Sequence, residues 1–295
     1  VRIAELETEL ANISLAKRLT EAGLLVDPVD HAAQPIVVRW SAEHTNHLLN
    51  VVNEFIFSEW LYGYIEYRAR ILHPYLSEDE REYITLLTLH GLRRMTEPIA
   101  SKRVSEWIEV IRQAVADVFV EGETAIHMKV DGVMRFRARD YLAAIDDAIR
   151  EIVEQFLSDR EYEEFVSMLR YMLDAQPASA EEIHLYCTDE RIWMTDPNGT
   201  LIQDREVSAA AFQVTEDEEV NAEDLTMSVL ITRSPCNIVI HDLTTAPPWP
   251  SFAETVERVF LERSTRCENC STCAQLRSND QHIQGTSSPS AISDN

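Results

Sequence analysis

Glycine is scarce in this sequence, and its spacing excludes more than its count does. The seven glycines are Gly23, Gly63, Gly91, Gly122, Gly132, Gly199 and Gly285, and the closest two stand ten positions apart. Neither G-x-G-x-x-G nor the Walker A pattern can occur, which removes the standard backbone cradles for dinucleotides and nucleoside phosphates. A G-x-S-x-G nucleophile elbow is excluded for the same reason. Basic residues are few: 26 Lys and Arg against 51 Asp and Glu leave a net charge of −25, with no Lys/Arg block. Nucleic acid and anionic membranes both need a cationic surface, so neither is an expected partner. No apolar run reaches the roughly 18 residues of a bilayer-spanning helix. The opening segment also lacks the charged-then-apolar order of a signal peptide. Five cysteines, three of them clustered, do not make a disulfide framework. A reducing cytoplasm is the expected compartment.

What the chain does contain predicts an α+β protein. Residues 1–40 read as an N-terminal helix over 4–22, closed by Gly23, then a connecting segment with a brief strand at Ile36–Trp40. Residues 41–176 read as a mostly helical domain. Leu48, Val51, Val52 and Phe55 mark one helix face. Ser77 with Glu80 forms a capping box for another helix, with Tyr83, Leu86 and Leu87 turned inward. A third stripe runs from Val104 through Ile111 to Val118 and stops at Gly122. Asp131-Gly132 between apolar residues predicts a hairpin turn. Two helices follow: one lined by Leu142, Ile145, Ile149 and Phe156, the next capped by Ser158 and Glu161. The buried face of that second helix is expected to be Tyr162, Phe165, Val166, Leu169 and Met172.

After Pro177 the period changes. Residues 177–275 read as a small α/β domain, with strands at 183–187, 191–195 and 237–242 and helices at 222–231 and 251–262. The acidic stretch Glu216–Glu219 reads as a solvated loop. Residues 276–295 carry too little apolar mass to offset ordering entropy, and a disordered tail is expected there.

The chemistry concentrates in Cys267, Cys270 and Cys273, spaced C-x2-C-x2-C. Thiolates three residues apart can ligate one zinc ion or an iron–sulfur cluster, although the fourth cysteine of a ferredoxin-like run is missing. Topology suggests Cys236 as the fourth ligand. It precedes the strand at 237–242, and the end of the helix after that strand should return to the same edge. Cys187 and His282 are weaker candidates. His44, His47, Asn50 and Glu54 share one helix face without forming H-E-x-x-H, and such faces are usually solvated. The neighbouring carboxylates Asp146-Asp147 and Glu163-Glu164 point to different azimuths and suit solvent faces better than acid/base work. With no catalytic motif, the reading leans away from an enzyme. A redox or iron–sulfur protein using the cysteine cluster is the runner-up. A zinc module for nucleic acid, supported only by Arg258, Arg263, Arg266 and Arg277, ranks last.

One combination of motifs points to a family. Phe136-Arg137 followed by Tyr141-Leu142 opens a helical pair that ends in Glu161-Tyr162, Phe165 and Leu169-Arg170-Tyr171. Together with the C-terminal cysteines, this resembles the YtxC-like sporulation proteins of endospore-forming bacteria, over roughly residues 40–275. The resemblance implies a cytoplasmic, sporulation-associated protein of unassigned molecular role, and the leading reading is a non-enzymatic interaction or regulatory factor with a protein partner. The resemblance brings no catalytic residues.

Overall fold

The computed structural model describes residues 1–31, 34–94, 98–120, 125–202 and 221–284. The chain divides into two compact units, Val1–Ser158 and Asp159–Asn295. The division falls inside a helix and not at Pro177, where the hydrophobic period changes.

The first unit begins with a strand, β1 (Arg2–Glu7), where a helix over 4–22 was expected. Ala4 and Leu6 are fully buried while Glu5 and Glu7 point outward, a period of two that only a strand satisfies. The helix proper is α1 (Asn12–Glu21), and Gly23 closes it in the left-handed region at φ 79°. Strands β2 (Leu25–Val26) and β3 (Ile36–Trp40) follow. Helix α2 (Thr45–Phe55) then leads through a π-helical turn, Ile56–Trp60, into α3 (Leu61–Leu72). Next come α4 (Glu78–Arg94), α5 (Pro98–Val120), β4 (Ala125–Lys129) and α6 (Val130–Arg137). The sheet order is β2-β3-β1-β4, with β1 antiparallel to β3 and parallel to β4.

The expected hairpin at Asp131-Gly132 does not form. β4 pairs with β1, more than a hundred residues earlier, and Asp131 lies in the first turn of α6. Its carboxylate accepts the Trp60 indole N–H at 3.0 Å and the Glu9 backbone N–H at 2.7 Å. These long-range bonds hold Asp131 in the helix. The capping box on α4 is present: Ser77 N–H donates to Glu80 at 2.7 Å, and Glu80 N–H to Ser77 Oγ at 3.3 Å. The face is rotated, however. Ile84 is buried whereas Tyr83, Leu86 and Leu87 are exposed. The stripe on α5 is inward at Ile111 and Val115, while Gly122 lies outside the described residues.

Helix α7 (Arg139–Asp174) is one helix of 36 residues where two were expected. It contains no glycine or proline, and a serine inside a helix costs only a few tenths of a kcal/mol against the best formers, so Ser158 does not break it. Its residues up to Ser158 belong to the first unit. There Tyr141 and Leu142 of the family-like motif are buried, with Tyr141 against Trp107 at 5.7 Å between rings. Asp146 and Asp147 diverge as expected, but Asp146 is no solvent-face charge: Arg68 of α3 donates to it at 2.8 and 2.5 Å.

In the second unit the remainder of α7 covers one face of a sheet made by β5 (Glu182–Cys187), β6 (Ile192–Thr195), β7 (Asn237–Asp242) and β8 (Ser264–Arg266). The order is β6-β5-β7-β8, with β5, β7 and β8 parallel and β6 antiparallel to β5. Helices α8 (Ala222–Arg233) and α9 (Phe252–Phe260) are the two crossovers, as parallel pairing requires. Val166 and Leu169 of α7, Leu230 of α8 and Val256 of α9 meet Ile183, Leu185, Ile238 and Ile240 in this core. Each such buried aliphatic contributes about 1.5–3 kcal/mol. Phe165 is 41% exposed and Met172 45%, so both fall outside the face predicted for them. Helix α10 (Ser271–Gln284) carries helical backbone across 276–284, where disorder was expected. The rest of the tail, and the acidic stretch Glu216–Glu219, lie outside the described residues.

Candidate metal centre

The strand alternation that buries Ile183, Leu185, Ile238 and Ile240 on one face sends Glu182, His184, Tyr186 and His241 to the other. β8 runs parallel to β7 with Ile240 opposite Arg266. The ladder continues one step further, where Cys267 N–H donates to Ile240 O at 2.8 Å. Cys267 therefore arrives beside His241.

From there the chain reverses through Asn269, held at φ 98°, a region that asparagine tolerates better than most residues. It then enters α10 with Cys270 at the N-cap position, its carbonyl taking the first helical bond from Ala274. Cys270 N–H donates to Cys267 Sγ at 3.3 Å. The Cys273 N–H in turn serves the Cys270 sulfur, as an N-cap side chain is served by the third residue on. The second of these bonds favours the Cys270 thiolate.

Four donor atoms converge: the sulfurs of Cys267, Cys270 and Cys273 and one ring nitrogen of His241, all within 4.8 Å of one another. His241 Nδ1 is 3.2 Å from Cys273 Sγ and 3.7 Å from Cys270 Sγ. Cys273 Sγ lies 3.6 Å from Cys270 Sγ and 4.0 Å from Cys267 Sγ. His241 is 2% exposed and Cys273 3%. Among the described residues this is the one convergent donor group, and it could hold a metal ion.

The electrostatics suit that role. Burial, with His184 beside it, pushes the His241 pKa below its ordinary value and keeps the imidazole neutral. Cys270 is lowered to about 7, chiefly by the Cys273 backbone N–H, whereas burial pushes Cys273 up to about 12. Three thiols this close cannot all ionise without a cation among them; a bound metal removes that repulsion.

The structure brings together Cys267, Cys270 and Cys273 but does not bring Cys236 to them. Cys236 is exposed, its sulfur donating to Glu181 O at 3.1 Å, and it stands five residues before His241 on an extended strand, roughly 16 Å away. The topological expectation failed because Ser264–Arg266 is a strand. It runs parallel to β7 beside Ile238–Ile240 and delivers Cys267 to the strand's C-terminal end, away from Cys236. Recognising that short third parallel strand was the signal that could have found His241.

The other candidates are accounted for separately. Cys187 faces the aliphatic core. The side chain of His282 lies outside the described residues. Arg266 is engaged by Glu257 and Asp242, and Arg263 by Ser234. His44 meets Ser41, His47 meets the Ala22 carbonyl, and Glu54 pairs with Arg18.

The sequence model of the YtxC-like family matches residues 46–265, about three quarters of the chain. The chain belongs to the YtxC-like family. The matched span of this YtxC-like chain includes Glu182, His184 and His241 and ends two residues before Cys267. Comparison with curated proteins and with solved structures finds no match. Among the described residues no helix is long and apolar enough to cross a membrane.

Proposed function

We propose that this chain is a sporulation-associated cytoplasmic protein without catalytic activity of its own. In this reading it acts through a protein partner, and Cys267, Cys270, Cys273 and His241 hold one structural zinc ion. The observation that carries the metal reading is the size of the donor cluster. A tetrahedron with zinc–sulfur bonds of about 2.3 Å has sulfur–sulfur edges of about 3.8 Å. The two edges at Cys273, 3.6 Å to Cys270 and 4.0 Å to Cys267, bracket that value. An iron–sulfur cluster spreads its ligands over separate iron atoms and needs them farther apart, so the donor spacing favours a single ion.

A three-cysteine, one-histidine set is closed, with no vacant position at which a substrate could bind, which supports a structural role over a catalytic one. Its mechanical effect is to fasten the turn at 267–270 and the start of α10 to β7. The net charge of −25 supports a protein partner over nucleic acid or an anionic membrane. The sporulation role follows the family resemblance.

Metal analysis of the full chain purified without oxygen tests the centre. About one zinc per chain is expected. Iron with inorganic sulfide would replace this reading by the redox alternative, and metal-free protein with freely alkylated cysteines would overturn it. Deleting the gene in an endospore-forming host should lower spore yield without slowing vegetative growth; normal sporulation would remove the biological assignment.

A further inference from the structure

The second nitrogen of His241 is not idle. His241 Nε2 lies 2.9 Å from His184 Nδ1, and His184 Nε2 lies 3.4 Å from Glu182 Oε1. The other carboxylate oxygen of Glu182 accepts the Asn237 side-chain amide at 2.8 Å, which holds the group in place. Glu182, His184 and Tyr186 are successive residues on one face of β5, and Asn237 and His241 occupy the same face of β7. Tyr186 stacks on the His241 ring at 4.2 Å and 7° and confines its plane.

This row has a direction. An ionised carboxylate can only accept, so the nitrogen facing Glu182 must carry the hydrogen. A neutral imidazole has one N–H, so His184 with hydrogen on Nε2 presents a lone pair at Nδ1. That lone pair requires hydrogen on Nε2 of His241, and the Nδ1 of His241 is then a lone pair aimed at the three sulfurs. The opposite arrangement sets the bare Nε2 of His184 against the carboxylate, two acceptors face to face.

We propose that Glu182 and His184 are positioning residues for the metal centre, a two-bond relay that selects the tautomer of His241 able to ligate through Nδ1. This rests on the metal reading above and goes beyond it. It identifies residues that touch no metal and yet set the affinity for it, as outer-shell partners of histidine ligands do.

Cobalt(II) uptake by the full chain, followed by its thiolate charge-transfer absorption and by competition with a chelator, reads the relay. His184→Leu should bind cobalt about 10- to 100-fold more weakly at unchanged stoichiometry. His184→Gln, which restores an acceptor for His241 and a donor for Glu182, should recover most of the loss. Nitrogen-15 NMR of the zinc-loaded parent should show both His184 and His241 protonated on Nε2. This readout needs no variant, and a merely structural role would not set it. Parent-like affinity in His184→Leu, or hydrogen on Nδ1 of His184, would overturn the relay while leaving the metal centre standing. A parent that takes up neither cobalt nor zinc would remove the centre and the relay together.

Discussion

His241 Nδ1 lies 3.2 Å from Cys273 Sγ, although 32 positions separate the two residues in the chain. Neither side chain reaches the other by local geometry. His241 is set by the register of β7, and Cys273 by the first turn of α10, so the contact reports that β8 has delivered the cysteine segment to the correct edge of the sheet.

Ligand substitutions should separate the four donors from the remaining thiols. Cys270→Ser and His241→Ala should each reduce zinc from about one per chain to nearly none after dialysis against a weak chelator. Cys236→Ser should leave zinc content unchanged, because that sulfur hydrogen-bonds Glu181 O at the far end of β7. Zinc lost on Cys236→Ser would contradict the geometry.

Thiol reactivity should follow burial. Cys236 is exposed and should be alkylated first in the zinc-loaded protein, whereas without metal the half-buried Cys270, its pKa lowered to about 7, should react at least as fast. Cys187 is buried and its pKa is pushed up to about 12, chiefly by that burial, so it should react only after unfolding. Zinc should protect Cys267, Cys270 and Cys273 as a set, and peptide mass spectrometry would read the order.

The two sides of α7 should differ in stability measurements. Leu169→Ala removes a side chain that is 8% exposed and should cost about 2–4 kcal/mol in urea unfolding. Phe165→Ala, on the exposed side, should change stability by no more than about 0.5 kcal/mol. Comparable losses at both positions would mean the helix is rotated from its described phase.

Asp131→Ala should destabilise the first unit by about 2–5 kcal/mol, since it strands the Trp60 indole N–H and the Glu9 amide. Calorimetry gives the size of the effect, and a shift in tryptophan emission would place it at Trp60. Asp131→Asn keeps an acceptor oxygen and should recover part of the loss.

Local chemistry was legible in the sequence. The C-x2-C-x2-C spacing puts three thiols within one ion's reach by covalent geometry alone. Capping residues located the start of α4, Gly23 the end of α1, and short apolar runs the strands at 36–40, 183–187 and 237–242. The mixed helical and α/β class and the family likewise follow from patterns spanning a few turns. Other features needed the tertiary structure. Helix phase is one: a shift of a single residue turns a helix by 100°, which is why Ile84 and not Tyr83, and Val166 and not Phe165, face inward. Strand partnership is another, since the pairing of β1 with β4 joins segments more than a hundred residues apart and cancels the hairpin that Asp131-Gly132 suggests locally. The fourth donor belongs with these. His241 is one of nine histidines with no motif of its own, and it becomes a ligand only because a three-residue strand pairs parallel to β7 and places Cys267 at its end. Ligand spacing along a loop is a property of covalent reach, whereas the meeting of loop and strand is set by sheet register, which no local pattern encodes.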